Sequence, residues 1–292
     1  MSSFSPHWLT LREPVDARSR AAGLATLLGE EVAGIRARHS RVEIIDLGAG
    51  TGANLRYAAP RLAGAQDWLL VERDPLLLAA MAQQIRAWAH ATHSQFTASG
   101  AQIAIRAERF ECQVQSLALD LAVQLDTLPL RRGVLLTASA LLDLVSENWL
   151  RRLIGRAAAA EVAVWFTLTY DGRIDCDPVE TEDREVREFV NRHQLGDKGF
   201  GLALGPTAAS TAARILGECG YQVQHAASDW CLGPDHAALQ YALVEGWFEA
   251  ACEIAPTRTS MLRAWQARRR AHIEAGRSTL RVGHVDMVGR PA

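Results

Sequence analysis

Val42–Asn54 reads V-E-I-I-D-L-G-A-G-T-G-A-N, an apolar, β-branched run that passes directly into a glycine-rich turn. Val42, Ile44 and Ile45 suit a central strand of a parallel sheet, which is buried on both faces. Gly48, Gly50 and Gly52 allow a tight turn whose backbone can approach a ligand with no Cβ in the way. At the C-terminal end of a strand, such a turn makes a nucleoside-sized site. A dinucleotide fold asks for G-x-G-x-x-G, so that a pyrophosphate rests on the helix N-terminus. Here the run is G-A-G-T-G-A, with Ala53 at the third glycine position. Asp46, on the last rungs of the strand, sets an anion where a pyrophosphate would lie, repelling phosphate and attracting an ammonium or sulfonium. The turn suits a cationic ligand better than a phosphorylated one.

A second strand-end acid follows. Trp68–Pro75 reads W-L-L-V-E-R-D-P, an apolar strand that stops at Glu72, just before Pro75 opens a helix at its favoured first turn. A carboxylate at that tip accepts both hydroxyls of a ribose. It supports a nucleoside without choosing between cofactors, and a solvated strand-end acid is the bland alternative.

Together these motifs resemble the class I S-adenosylmethionine-dependent methyltransferases, whose first motif has the form acid-x-G-x-G-x-G. The resemblance implies S-adenosyl-L-methionine as cofactor, held by Asp46, Gly48, Ala49, Gly50, Gly52 and Asn54 of the first motif and by Glu72, the ribose acid, with Arg73 along the adenine edge. In Ser116–Ala122, S-L-A-L-D-L-A, Asp120 matches the acid that receives the adenine amino group, and the Leu121 amide would meet a ring nitrogen. Asp126 stands close by, and a helix N-cap is an equal reading for either aspartate. Ala138, Ser139 and Ala140 after the fourth strand would leave room for the methionine end and a substrate. The acid or amide followed by two prolines, found in methyltransferases acting on base amines or glutamine, is absent there.

The implied fold is α/β: a doubly wound, seven-stranded, mostly parallel sheet whose last strand is antiparallel, with an N-terminal helix and a lid insertion. The chain reads as one domain, with an N-terminal helical segment at 1–40, a cofactor-binding core at 41–170, a candidate substrate lid at 171–206 and the rest of the core at 207–292. Spacing of apolar residues predicts an amphipathic helix over Asp16–Arg38 and helices over Asn54–Leu62, Pro75–His93, Glu147–Ala159 (capped by Ser146), Thr207–Cys219, Ala237–Ile254 and Met261–Ala275. Strands are expected at Ile103–Ile105, Phe110–Val114, Gly133–Thr137, Val162–Tyr170, Tyr221–Ala226 and Thr279–Val288.

Methyl transfer from a sulfonium needs alignment and exclusion of water, with a base where the acceptor must lose a proton. The polar 171–206 stretch supplies candidates: His193, whose ordinary pKa lies near neutrality, and Tyr170 at the strand exit. A helix-capping histidine and a core-edge tyrosine are the competing readings. Arg18 and Arg20 would hold a substrate carboxylate, or form a solvated helix face.

Bulk properties narrow the partners. A net charge of -2 lacks the basic excess that nucleic acid demands, so none is expected. Five scattered cysteines with no C-x-x-C pair suggest reduced thiols in a cytoplasmic protein and no metal site. No apolar run reaches ~18 residues, and the first residues do not read as a leader, so neither membrane insertion nor secretion is expected. The expected activity is methylation of oxygen or nitrogen on a small-molecule substrate. Two rivals stay open: a non-catalytic S-adenosylmethionine-binding regulator, and an NAD(P)-dependent oxidoreductase. Oligomeric state is not legible.

Overall fold

A computed structural model describes residues 5–100 and 102–292. In chain order the elements are α1 (Pro6–Ser19), α2 (Ala25–Arg36), β1 (Val42–Leu47), α3 (Ala53–Leu62), β2 (Gly64–Glu72), α4 (Pro75–Ala91), β3 (Gln95–Ser99), β4 (Gln102–Arg106), β5 (Phe110–Ala118) and α5 (Leu121–Gln124). There follow β6 (Val134–Ser139), α6 (Glu147–Ala159), β7 (Ala163–Asp177), α7 (Asp183–Gln194), α8 (Ala208–Glu218), β8 (Tyr221–Ala227), β9 (Trp230–Leu232), α9 (Ala237–Ile254), α10 (Thr259–Glu274) and β10 (Thr279–Pro291).

The strands form one ten-stranded sheet in the order β3-β4-β5-β2-β1-β6-β7-β10-β8, with β9 pairing on β10. Its centre, β5-β2-β1-β6-β7, is parallel. The α/β class and the antiparallel last strand match expectation, since β10 runs against both β7 and β8. The expected count of seven strands is too low. The third strand is preceded by an antiparallel meander through β3 and β4, and three-residue β9 is too short to leave a periodic signal.

Alternation along β1 explains how the layers assemble. Val42 and Ile44 face a core shared with α2, α3 and α4, while Ile45 and Leu47 face one shared with α6 and α8. Asp46 therefore points to the same side as Ile44, toward α3. A third core, unforeseen in the sequence, gathers α7, α9 and α10 around the far halves of β7 and β10 and around β9. It exists because β7 runs on to Asp177, so 171–177 is strand.

The N-terminal segment also differs from expectation. Asp16–Arg38 is two helices, broken where Arg20 leaves the helical region (ψ 136°). The break is held from a distance: Asp286 of β10 accepts the Ala21 amide at 3.0 Å through one oxygen and the Leu168 amide at 2.7 Å through the other. Leu168, in mid-β7, has φ +53°, a left-handed conformation that costs on the order of 1–3 kcal/mol and takes its amide out of the ladder. One buried carboxylate thus satisfies the bulge and fixes the start of the turn after α1. Among the described residues no helix is long and apolar enough to cross a membrane.

Candidate active site

The parallel strands deliver their C-terminal ends to a cavity of about 880 Å³, within the usual range for small-molecule sites. Its floor is the turn after β1. Gly50 has φ +57°, and a Cβ there would stand 3.0 Å from Leu9 of α1, so the turn is shaped by what covers it as well as by its own torsions.

Two acids stand at neighbouring strand ends. Glu72, on the last residue of β2, is buried and accepts three backbone amides: Gly50 at 2.9 Å on one oxygen, and Arg73 at 2.8 Å and Asp74 at 3.0 Å on the other. A carboxylate has about four acceptor positions, so one remains after these three, and the group is locked in place before any ligand arrives. Asp46 is only 1% exposed. One oxygen accepts Asn54 Nδ2 at 3.0 Å, whereas Oδ2 is buried with no hydrogen-bond partner. Burial pushes its pKa up to about 7, against the lowering pull of the Asn54 hydrogen bond and of Arg20, with Glu72 adding to the rise.

Further along the wall, Asp74 caps α4 through the Leu76 amide at 2.8 Å, and Asp120 caps α5 through the Ala122 amide at 2.9 Å. Arg73 and Asp120 form a half-exposed ion pair at 3.4 Å. The N-cap reading of Asp120 is therefore realised on the cavity wall itself, so capping and ligand contact are compatible roles.

The cover over the cavity is α1, which places Leu9, Arg12, Glu13, Asp16 and Ala17 on the wall. It is fastened by Glu13, which takes a two-pronged contact from Arg56 (2.8 and 2.5 Å), and by Asp16, which accepts Arg12 at 2.8 Å and the Trp230 indole at 3.0 Å. Burial raises the Asp16 pKa, opposed first by Arg12. The 171–206 stretch, expected to be the lid, sends only Lys198 and Phe200 to the wall; α7 packs instead on α9 in the third core.

Arg20, at the break between α1 and α2, lies on the wall beside Asp46. Its guanidinium donates to Asn54 Oδ1 and Ser139 Oγ, each at 3.1 Å, and to Thr167 Oγ1, and it lies over the Tyr57 ring at 4.9 Å. None of the ion pairs among the described residues includes it, and its Nε is buried without a partner. Arg18 points elsewhere, to His236 at 2.6 Å.

Of the expected cofactor residues, Asp46, Gly48, Ala49, Gly50, Asn54, Glu72, Arg73, Asp120, Leu121 and Ser139 reach the wall. Gly52 sits one step behind, as the left-handed cap of α3, and Ala138 is wholly buried in the core shared with α6. Neither expected base reaches the cavity. His193, in the last turn of α7, faces Glu253 of α9 at 3.0 Å. Tyr170 is buried in the third core, donates to Asn191 at 2.6 Å, and has its pKa raised, first by burial. The physical reason is the length of β7, which carries Tyr170 to mid-strand and moves α7 away.

No known family profile matches the chain, and no curated protein matches it. Among solved structures the chain is similar to an S-adenosylmethionine-dependent methyltransferase from Geobacter sulfurreducens bound to S-adenosylhomocysteine, at 14% identity, TM-score 0.44, with 98% of each chain covered. One from Thiobacillus denitrificans, also bound to S-adenosylhomocysteine, gives 12% identity and TM-score 0.43 over 98% of this chain and 99% of that one. A cyclopropane synthase from Mycobacterium tuberculosis gives 9% identity and TM-score 0.43 over 99% of this chain and 100% of its own.

Proposed function

We propose that the chain binds S-adenosylmethionine and transfers its methyl group to oxygen or nitrogen of a small-molecule acceptor. The observation that carries this reading is the pair of buried carboxylates at adjacent strand ends, Glu72 locked by three amides and Asp46 with one oxygen unpaired. A ribose brings hydroxyl donors to Glu72, and an ammonium brings a donor and a charge to Asp46. A pyrophosphate would bring further negative charge, at a cost of about 4 kcal/mol per unit charge at 4 Å and an effective dielectric near 20. That speaks against the nicotinamide reading.

The orphaned Asp46 oxygen fits a cationic cofactor, with Glu72 for the ribose and Arg73, Asp120 and Leu121 along the base. When bound, S-adenosylmethionine supplies an electrophilic methyl group on a sulfonium. The chain's own part is to hold the acceptor in line and keep water out, for which α1 lies across the cavity. Asp16, a half-buried carboxylate on the cavity wall with a raised pKa, takes over the proton-accepting role first given to His193.

Calorimetric titration with S-adenosylhomocysteine and with NAD tests the reading: uptake of the first alone is expected, and uptake of NAD alone overturns it. Incubation with methyl-labelled cofactor and fractions of a metabolite extract separates enzyme from regulator, because an enzyme leaves label on some compound and a regulator does not.

A further inference from the structure

Lys198 is the only lysine among the 31 lysines and arginines of the chain, and with Phe200 it is what the loop after α7 brings to the cavity wall. That loop is tightly built. Asp197 Oδ1 accepts the Gly199 amide at 2.6 Å and the Gly201 amide at 3.1 Å, the two glycines have φ +101° and +87°, and Asp197 bridges to Leu202. The Leu204 amide bonds the Val145 carbonyl at 2.8 Å, and the Phe200 ring stands edge-on to Trp149 of α6 at 5.2 Å. Lys198 and Phe200 therefore come to the cavity from the face of the sheet that carries α6, whereas α1 covers it from beside α3 and α4.

The Lys198 ammonium donates to the His193 carbonyl at 3.2 Å, at the C-terminal end of α7. A helix cap is the plain explanation, but that carbonyl already takes the Gly196 amide at 3.1 Å. An ammonium has three donors, so two are left over. Among the described residues no carboxylate lies within ion-pair reach of it, and the adjacent acid, Asp197, is spent on the loop's own amides. Other cations on the wall are answered: Arg12 by Asp16, Arg56 by Glu13 and Arg73 by Asp120. Beside this unanswered charge the wall is apolar, since Leu141 and Phe200 both belong to the core shared with α6.

We propose that the acceptor carries an anionic group, carboxylate or phosphate, which Lys198 takes while the apolar body of the acceptor lies against Phe200 and Leu141. This rests on the proposed function and names its substrate class. Lysine is a compact point charge on a flexible stem, which accepts either anion without demanding the planar fork geometry of arginine. The anion is a handle and not the methylated atom, because lone pairs engaged by an ammonium are poor nucleophiles.

The test uses the full chain with its amines reductively methylated by carbon-13 formaldehyde, which keeps the charge and gives one labelled lysine signal, assigned by its loss in Lys198→Met. Benzoate, phenyl phosphate and the neutral benzamide are titrated with S-adenosylhomocysteine saturating. One of the anions is expected to move the Lys198 signal saturably and to bind roughly 10- to 100-fold more tightly than benzamide, the ratio of a charge-assisted contact; the tighter anion names carboxylate or phosphate. By calorimetry on unmethylated protein, Lys198→Gln is expected to erase that ratio and Lys198→Arg to keep part of it, both holding S-adenosylhomocysteine as wild type does, which shows the pocket intact. The proposal is overturned, and the cofactor reading left standing, if neither anion moves the signal saturably or if the ratio survives in Lys198→Gln. It is also overturned if Lys198→Gln weakens S-adenosylhomocysteine itself, since Lys198 then belongs to the cofactor. Anions that saturate the Lys198 signal in a protein that takes up no S-adenosylhomocysteine uphold the anion site and overturn the methyltransferase reading.

Discussion

Asp46 makes the cavity sensitive to pH near neutrality. Its folded pKa is raised from 3.8 to about 7 by burial, so its contribution to stability is fully present below the unfolded value and is lost as pH rises through about 7. Asp46→Asn is expected to melt with a weaker fall in Tm over pH 4 to 7 than wild type, read by calorimetric scanning. Binding an ammonium runs the other way, since it needs the ionised carboxylate. Affinity for S-adenosylhomocysteine is expected to rise with pH through about 7 and level above it, and Asp46→Asn to flatten that profile. Burial sets the midpoint first, and the groups facing Asp46 adjust it, Asn54 and Arg20 downward and Glu72 upward. Glu72→Gln loses a charged acceptor, and titration calorimetry is expected to show S-adenosylhomocysteine affinity weakened by about 1.5–3 kcal/mol. Asp16→Asn is expected to reduce turnover while sparing cofactor affinity, and His193→Ala to spare both. At this scale Asp46, Asn54 and Glu72 were legible because each stands in a strand-end or glycine-turn motif that the local sequence announces. Arg20 was read only together with Arg18, as a carboxylate holder or a solvated helix face, and Asp16 was not read as a site residue at all, because partners that place them lie far off: Thr167 is 147 positions from Arg20, and Trp230 is 214 from Asp16.

The element that decides access is α1. Its inner face meets the cavity, and its attachments include the Glu13–Arg56 pair, the Asp16–Trp230 hydrogen bond, the contact of Leu9 with the glycine turn, the Arg18–His236 contact and the packing of Trp8, Leu11 and Val15 on the third core. Glu13→Gln removes one charge from a pair whose arginine is almost wholly buried. Hydrogen exchange of 6–19 is expected to quicken several-fold, while α6 and β6 keep their protection, matching a loss of about 1 kcal/mol for a partly solvated pair. Exchange unchanged in 6–19 would show that α1 is held by its apolar contacts alone. The boundary between α1 and α2 was illegible because nothing in 16–22 is a strong breaker: Arg20 and Ala21 are ordinary helix residues, and Asp286 overrules their preference from another part of the sheet. By contrast α3, α4 and α6 were read closely, since Pro75, Ser146 and the glycine turn announce them locally.

At the scale of the molecule, two cores flank the parallel strands and a third extends them. The third is anchored by Trp265 and Leu262 of α10, which are almost completely buried, and by Arg269, fully buried and paired with Asp183. Leu262→Ala is expected to cost about 2–5 kcal/mol in denaturant unfolding. Because Trp230 of the same core holds Asp16 and packs near Trp8 (6.5 Å), loosening it is also expected to free α1. The parallel centre was legible as a succession of buried β-branched runs. The ten-stranded total was not, because β9 is three residues long and the mostly exposed β3, Q-F-T-A-S, has too few apolar residues to announce a strand; nor was the length of β7, whose far half, D-G-R-I-D-C-D, reads as polar loop.

The carboxylate of Asp286 has a consequence for the order in which the molecule becomes competent. A nascent chain that has emerged only as far as residue 278 already contains the glycine turn, both strand-end acids and Arg20, and yet lacks the group that bends the backbone at Ala21 and steadies the bulge at Leu168. Until β10 slots between β7 and β8, the Ala21 amide lacks the acceptor that holds the break after α1. Recognition by this pocket is therefore expected to begin late in synthesis, and ribosome-held chains stalled before residue 286 are expected not to take up S-adenosylhomocysteine.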